Sequence, residues 1–553
     1  MQRLRNVVLG LAILLLAAAP VLAQPKGALD LVPADALGFG FVNNLDRVSD
    51  KIEAMFKRLQ VPLDGSPLKK ALGELGVNKG INEKGSIVAA VFPGERPVVV
   101  AIVPVSNFKD FADAVKAKDE SLLVKQKGDY AIVTEGANKD ALKKIVTGQG
   151  GIAGVVKPLE GWIAKVDLGA VVTSKGIEFL VAKAREGLGE FKNQPLPDEA
   201  KFIMGYVDGI EQFLKKCAIE VTHIAVGGKF ADKGDLIVDV QALFAQEGPF
   251  AKFGAQAKAP AGGPLVGLPA GPFVIAAGGG GLADGVSMTK LVIDLVKVSA
   301  PDLPAEQAKK LETAMTDMYK GVSGASFMMG VAKAGEPIFS GTMMVMKVDD
   351  SAAYLKRFKR ATLEVNEVYK DGKIPGAKPA EIKDVKVGQI PALETTTDMS
   401  ETFEKIPGGL GGKIGEMIFG EGGKLRNSIV PADKTTVLIG YTSAAGIKSV
   451  LDAYRKKAFL GEDPEVLKTA AMLPKGSQFA GYFSPKGTME LVNRAVGGFL
   501  PIQLPAFPDT PPVGAALRLS ASGMEARLVV PAAVQEGVGD LVQKIKQLIP
   551  GAN

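Results

Sequence analysis

One pattern of elements occurs four times along this 553-residue chain, and it constrains the fold more than any other feature. Each copy opens on a turn, continues with a β-rich run, and passes into a stretch with apolar residues at helical spacing. Two further β-rich runs joined by a glycine-containing turn follow, and an amphipathic stretch closes the copy. The pattern predicts a βαββα unit. The opening turns lie at residues 32–35, 196–199, 268–271 and 473–476, and the strands after them are predicted at 39–42, 202–206, 273–275 and 479–483.

The copies are arranged in pairs. A further strand and helix, predicted at residues 130–133 and 141–145, separate the first copy from the second. Their counterparts at 436–439 and 447–454 separate the third copy from the fourth. The second copy shows no clear closing helix.

The shared order predicts two duplicated halves, residues 30–256 and residues 268–550. Between them, residues 257–267 are rich in Ala, Gly and Pro without any period, which is typical of a linker. Hairpin-linked strands followed by helices favour mainly antiparallel sheets with helices packed on one face. We therefore expect an internally duplicated α+β fold.

The glycine-dense stretch 406–424 is the main addition in the second half. Glycine loses much backbone entropy when it is ordered, so this stretch is predicted to be a mobile surface loop. A functional lid or binding loop is the alternative, because long loops often carry function.

Residues 1–23 have the features of a signal peptide. Arg3 and Arg5 precede a short apolar run at 7–16, and Val21 and Ala23 suit a peptidase that requires small residues. We expect cleavage after Ala23 and export to the periplasm or the extracellular space, with no stable transmembrane span afterwards. An uncleaved membrane anchor is the alternative.

The charge balance disfavours nucleic acid as a partner. The full chain has a formal net charge of +6, and removal of Arg3 and Arg5 leaves 64 basic against 60 acidic residues. A basic run at 356–360 lies in a helix-like stretch between acidic residues, and is predicted to be a solvated helix face.

Single cysteine and histidine residues exclude several kinds of site. With only Cys217 and His223, the chain can form no internal disulfide, zinc finger, His-rich metal site, iron–sulfur cluster or CxxC redox centre. His223 lies in a predicted strand and Cys217 at a helix end, and both are predicted to be structural. We expect no cofactor and no metal.

Glycine-rich motifs for nucleotides are incomplete. Residues 278–281 do not continue to G-x-G-x-x-G, and Lys413 and Lys424 are not followed by Ser or Thr. We therefore expect no nucleotide site.

A hydrolase is the enzymatic alternative. Ser287 and Lys290 have the S-x-x-K spacing of penicillin-recognising enzymes, in which the lysine helps to activate the serine. Ser106 and Lys109 have the same spacing, and serines at such positions are often helix caps. Carboxylate pairs such as Asp349 and Asp350 are the other candidates, although helix capping also explains them.

Five methionines cluster in paired strands of the second half. Core filling is the main interpretation, because methionine adapts to irregular gaps. A deformable apolar ligand groove is the alternative. The methionines are residues 328, 329, 343, 344 and 346.

The chain resembles a group of uncharacterised exported bacterial proteins, of planctomycete type, with a signal peptide and an LPADT-like opening. The resemblance is carried by Val32–Ala36, read Val-Pro-Ala-Asp-Ala, and by the Leu-Pro openings at 196, 268 and 473. It implies an envelope location and no known activity. We expect a non-enzymatic binding or scaffold module that contacts an envelope protein, with a carrier of an apolar ligand as an alternative.

Overall fold

A computed structural model describes residues 26–63, 65–74, 79–94, 96–148, 150–193, 203–281, 303–333, 335–370, 378–401, 411–497 and 503–548. The predicted signal peptide and the pair Ser287 and Lys290 lie outside these ranges. The described residues form seventeen α-helices: α1 (Lys26–Leu29), α2 (Leu45–Arg58), α3 (Pro67–Glu74), α4 (Phe108–Lys118), α5 (Lys139–Thr147), α6 (Ile152–Val155), α7 (Glu160–Ile163), α8 (Ser174–Lys192), α9 (Ile203–Glu220), α10 (Pro249–Gln256), α11 (Ala305–Tyr319), α12 (Ser351–Lys370), α13 (Gly411–Phe419), α14 (Ala444–Arg455), α15 (Pro464–Ala470), α16 (Pro485–Gly497) and α17 (Ala532–Leu548).

The same ranges contain eighteen strands. They are β1 (Gly38–Val42), β2 (Ile87–Phe92), β3 (Val98–Pro104), β4 (Leu122–Lys127), β5 (Tyr130–Glu135), β6 (Leu168–Thr173), β7 (Val221–Phe230), β8 (Leu236–Phe244), β9 (Phe273–Gly280), β10 (Val322–Gly330), β11 (Thr342–Val348), β12 (Glu381–Val387), β13 (Ile390–Asp398), β14 (Lys424–Asp433), β15 (Thr436–Gly440), β16 (Phe479–Phe483), β17 (Val513–Ser520) and β18 (Gly523–Val530).

The chain divides into two compact units. Unit 1 contains the described residues up to 193, residues 204–255 and residues 520–543. Unit 2 contains Ile203, the described residues from 256 to 519, and residues 544–548. The sequence pattern places 520–543 in the half 268–550, whereas by its contacts this segment belongs to unit 1.

Both units are built from antiparallel strand pairs. In unit 1 the strand order is β4-β5-β3-β2-β1-β6-β7-β8-β18. In unit 2 the order is β12-β13-β14-β15-β11-β10-β9-β16-β17. The predicted α+β class with mainly antiparallel pairing is confirmed.

The expectation that helices pack on one face only is wrong. In unit 1, Phe39 and Phe41 of β1 join a core with α5 and α7 on one face. The next residue, Val42, packs on the opposite face with Leu45 and Val48 of α2. Strands such as β2 are apolar at every position, which is the pattern of strands buried on both faces.

Three of the four predicted openings lead into strands, and the second does not. β1, β9 and β16 follow their turns as expected, but residues 203–206 begin helix α9 instead of a strand. A short apolar run does not distinguish a strand from a buried helix segment, and here helical spacing continues through Phe213 and Cys217. The strand that occupies the equivalent position is β6, which has no Leu-Pro opening.

Residues 411–419 of the glycine-dense stretch form a helix, so the prediction of a loop over 406–424 is wrong for these residues. Helix α13 contains Ile414, Met417 and Phe419, and the ring of Phe419 stacks on Phe339 with centroids 5.6 Å apart. Apolar packing overrides the weak helix propensity of glycine here. The predicted linker 257–267 contains no helix or strand, although Leu265 within it is buried.

Candidate functional site

In unit 2, four neighbouring strands in the order β10-β9-β16-β17 present three rows of apolar residues on one face. Residues directly opposite one another share a face, as do residues two apart along a strand. The first row is Met329, Ile275, Phe483 and Val513, the second is Phe327, Ala277, Gly481 and Ala515, and the third is Ala325, Gly279, Phe479 and Leu517. We call these twelve residues the apolar face.

Every residue of the apolar face is at least partly accessible to solvent. Ile275 is 43% exposed and Phe483 is 40% exposed. Residues between them in sequence, on the other side of the same strands, are buried, with Ala276 at 0% and Tyr482 at 6%. The strands therefore have a packed side and an open side, and the open side is as apolar as the packed one.

The apolar face has a trough across its middle. In the second row, Ala277, Gly481 and Ala515 have small side chains and only Phe327 is large. Larger side chains flank Gly481 and Ala515, with Phe483 and Val513 on one side and Phe479 and Leu517 on the other. A Cβ added at Gly481 would lie 3.6 Å from the Cβ of Ala277, which is an ordinary contact. Neighbouring rows are about 7 Å apart along the strands, so the trough is about as wide as one hydrocarbon chain.

Helices α2 and α8 pack against the corresponding face of unit 1, although Gly40, Ala170 and Val226 in its central row remain partly accessible. Its central row, Ala89, Gly40, Ala170 and Val226, occupies β2-β1-β6-β7 in the same register. In the row on one side, Leu168 packs against Val48 and Ile52 of α2. In the row on the other side, Val172 and Ile224 pack against Ile177 and Val181 of α8. Among the described residues, Ile275 and Phe483 of unit 2 are exposed, whereas Gly38 and Val172, at the same register positions of unit 1, are not.

The predicted methionine cluster is mostly core. Met328, Met343 and Met346 are buried, and the hydroxyl of the buried Tyr354 donates a hydrogen bond to the sulfur of Met346 at 3.1 Å. Met329 alone of the five lies in the apolar face. Core filling is thus the main role of the cluster, and the site that is open lies mainly on residues that the sequence pattern did not single out.

His223 and Cys217 show no catalytic arrangement. His223 lies in β7, is 8% exposed, and its Nδ1 lies 3.1 Å from the Thr222 hydroxyl. Burial lowers the pKa of His223, so its imidazole is neutral at pH 7. Burial raises the pKa of the Cys217 thiol, which disfavours the reactive thiolate.

The carboxylates singled out in the sequence act on local structure. Asp350 accepts a hydrogen bond from the Ala353 amide at 2.7 Å and so caps α12. Arg357 lies 2.9 Å from Asp349 and lowers the pKa of that carboxyl. Within the described ranges, no group of three His, Cys, Asp or Glu residues could hold a metal ion.

No helix among the residues that the structure describes is long and apolar enough to cross a membrane. Comparisons with protein-family models, with curated proteins and with solved structures find no match for this chain.

Proposed function

We propose that this protein is a non-enzymatic exported binding protein, and that unit 2 binds one hydrocarbon chain of a lipid-like ligand. The observation that carries the proposal is the apolar face, where twelve residues without a polar side chain remain accessible on four paired strands.

The size of the apolar face favours a small ligand over a protein. The apolar face spans three strand spacings across the sheet and four residues along each strand. Its dimensions are therefore about 14 Å by 14 Å, and its area is about 200 Å². A stable protein–protein interface covers about 800 Å² on each partner. A single chain lying in the trough over Ala277, Gly481 and Ala515 would contact larger side chains on both sides, and each methylene that it buries contributes about 0.8 kcal/mol.

The direct test is native mass spectrometry of the mature protein isolated gently from its host envelope. We expect a non-covalent ligand of lipid size on the wild-type chain. In the variant Phe483→Asp this ligand should be lost, and a dansyl-labelled fatty acid should bind at least about tenfold more weakly, because the carboxylate must be desolvated beside the chain. Phe483 is partly exposed, so the fold should tolerate the change.

The matched control is Phe213→Asp on α9 of unit 1. Phe213 is 59% exposed and lies outside the apolar face. The substitution therefore removes an exposed phenylalanine without changing the trough. Equal loss of binding in both variants, or a lipid mass that persists in Phe483→Asp, would contradict the proposed site.

A partner-binding scaffold is the second candidate function. Helix α9 exposes Ile210, Phe213 and Ile219, the last at 74%. These residues are favourable contacts for another protein. In the same mass spectra, a protein complex that is lost in Phe213→Asp would favour the scaffold function over the carrier.

The proposed export rests on residues 1–23 and on the resemblance to exported bacterial proteins. We expect the mature chain to begin at Gln24, with the formal net charge reduced to +4 because Arg3 and Arg5 are removed. Sequencing of the N-terminus of the protein from its host checks this. A chain that retains Arg3 and Arg5 would favour the uncleaved anchor.

Duplication of the two units is also a proposal. The order β4-β5-β3-β2-β1-β6-β7 of unit 1 parallels β14-β15-β11-β10-β9-β16-β17 of unit 2, which supports it. Similar turns support it further, because Thr173 caps α8 through Gly176 and the Ser484 hydroxyl accepts from the Gly487 amide in α16.

A further inference from the structure

Asp167 of unit 1 is a buried carboxyl group with too few hydrogen-bond donors. It lies in the turn before β6 and is 0% exposed. One carboxyl oxygen, Oδ2, accepts a hydrogen bond from the Phe230 amide at 3.1 Å. The other oxygen, Oδ1, has no hydrogen-bond partner among the described residues. An ionised carboxylate in this position is costly, because its charge is desolvated and only partly compensated.

A second buried acceptor next to Asp167 also lacks a donor. Asn43 is 0% exposed, and its backbone amide donates to the Asp167 carbonyl at 2.8 Å. The Asn43 Nδ2 donates to the carbonyls of Ile163 and Val166, at 3.2 and 2.7 Å. The Asn43 Oδ1 has no partner within the part of the chain that is described. Two buried oxygens at one turn thus require a hydrogen that the side chains, in their ordinary protonation states, do not supply.

Unit 2 has a neutral amide at the equivalent position. Gln478 lies in the turn before β16, its backbone amide donates to the Leu517 carbonyl at 3.0 Å, and its carbonyl accepts from the Gly280 amide at 3.1 Å. Asp167 makes the same pair of backbone bonds, with Gly228 and Asn43. The Gln478 side chain accepts from the Leu519 amide at 2.7 Å and donates to the Leu519 carbonyl at 3.3 Å. The neutral Gln478 side chain therefore forms hydrogen bonds with both the backbone amide and the backbone carbonyl of Leu519.

In unit 1 a lysine makes the hydrogen bond to the backbone carbonyl that the Gln478 side chain makes in unit 2. The Lys51 Nζ, on α2, donates to the Phe230 carbonyl at 3.3 Å. Burial lowers the pKa of Lys51 and raises the pKa of Asp167 to about 8, so both groups are shifted toward their neutral forms. The Lys51 ammonium opposes the rise in the pKa of Asp167, as do Lys229 on β7 and Arg47 on α2. Asp167 itself and Asp232 after β7 oppose the fall in the pKa of Lys51.

We propose that Asp167 is a proton-binding site built into unit 1, which holds a carboxylic acid where unit 2 holds the amide of Gln478. Protonation turns one Asp167 oxygen from an acceptor into a hydroxyl donor and removes the buried charge. Deprotonation places a desolvated charge at the junction of β1, β6 and β7, which the cations of Lys51, Lys229 and Arg47 compensate only in part, and so lowers the stability of unit 1.

The sign of the pH dependence follows from the raised pKa of Asp167. Between about pH 4 and pH 8 the folded chain retains a proton that the unfolded chain releases, because the ordinary pKa of an aspartate is 3.8. Stability contributed by Asp167 is therefore present at low pH and is lost as the pH rises toward 8. The lowered pKa of Lys51 has the opposite sign and acts at more alkaline pH.

Infrared difference spectroscopy of the full-length mature chain tests the proposal. We expect the band of a protonated buried carboxyl at pH 6 that disappears at pH 9 and is absent from Asp167→Asn. Between pH 5 and pH 8, the unfolding equilibrium constant of the wild type should rise about tenfold or more relative to that of Asp167→Asn. Trp162, the only tryptophan, lies in the core of unit 1 and reports its unfolding.

Two further variants keep the test decisive. Asp167→Gln introduces the residue that unit 2 has at this position. It should lack the infrared band and the pH dependence, and it replaces Asp167→Asn in the test if the asparagine variant does not fold. Asp350→Asn removes an aspartate that caps α12 in unit 2, and should retain both the infrared band and the pH dependence of unit 1. A wild-type spectrum with no protonated carboxyl at pH 6 that depends on Asp167 would overturn the proposal and leave Asp167 as the ionised partner of Lys51.

Discussion

Arg527→Met should lower the free energy of unfolding of unit 1 by about 3–5 kcal/mol, because it leaves a buried charge without its partner. Arg527 lies in β18 directly opposite Asp239 in β8. Its guanidinium donates to both oxygens of the Asp239 carboxylate, at 2.6 and 3.3 Å, and the Asp239 side chain is only 8% exposed. Bidentate pairs of this kind are strong and directional.

The reason for expecting a large effect is that Arg527 holds a segment far away in sequence. Residues 520–543 belong to unit 1, and β8 becomes an unpaired edge in that unit if β18 detaches. Polar contacts beyond the strand add to the attachment, because Asp235 accepts from the Ala532 amide at 2.9 Å and the Gln535 amide donates to the Gly234 carbonyl at 3.1 Å. Weakening β18 therefore affects α17 as well.

Urea unfolding followed by Trp162 fluorescence measures this effect in unit 1. The matched control is the double variant Arg527→Met with Asp239→Leu, which removes both charges and should recover most of the lost stability. If the double variant is as unstable as Arg527→Met alone, the unpaired charge of Asp239 is not the cause.

Gly176→Ala and Gly487→Ala should each lower the free energy of unfolding by about 3 kcal/mol, because a methyl group at either position overlaps main-chain oxygen. A Cβ at Gly176 would overlap the Leu37 carbonyl oxygen, and one at Gly487 would overlap the Phe273 carbonyl oxygen. Both glycines lie in the first turn of a helix, α8 or α16, that packs closely against a strand start. The contacts are with backbone, so side-chain rearrangement cannot relieve them.

The effects of Gly176→Ala and Gly487→Ala should be seen in different measurements. Gly176→Ala should shift the Trp162 unfolding curve, whereas Gly487→Ala should shift the loss of far-ultraviolet circular dichroism and weaken binding of the fatty-acid probe, since β9 carries Ile275. Gly187→Ala and Gly497→Ala are the controls on the same helices. Nothing lies within 4 Å of a Cβ at either control position, so they should be neutral or stabilising by up to about 1 kcal/mol. Equal destabilisation by control and test variants would contradict the close approach.

Local patterns predicted many single elements well. The strands expected at residues 130–133 and 479–483 are β5 and β16, and the helix expected at 141–145 lies within α5. These elements depend on hydrophobic period, turns and caps, all of which lie within about fifteen residues of sequence. The local patterns were misleading at residues 203–206, where a short apolar run was compatible with both strand and helix.

Strand partners depend on residues far apart in sequence. β9 pairs with β10 on one side and with β16, some two hundred residues later, on the other. The apolar face exists only because these pairings bring Ile275, Phe483 and Met329 into one row. Each of these strands, taken alone, has side chains that alternate between two faces like those of any strand. No local signal therefore distinguishes the accessible face from the packed face.

The sequence by itself determined the α+β class, the succession of turns, strands and helices, and the absence of the cysteines and histidines that redox or zinc chemistry requires, because these follow from composition and short-range period. Only the tertiary structure decided which side of unit 2 remains open, that residues 520–543 join unit 1, and that Asp167 is buried where Gln478 is its counterpart. Exposure, strand partners and the environment of a buried carboxyl all depend on contacts between residues that are distant along the chain.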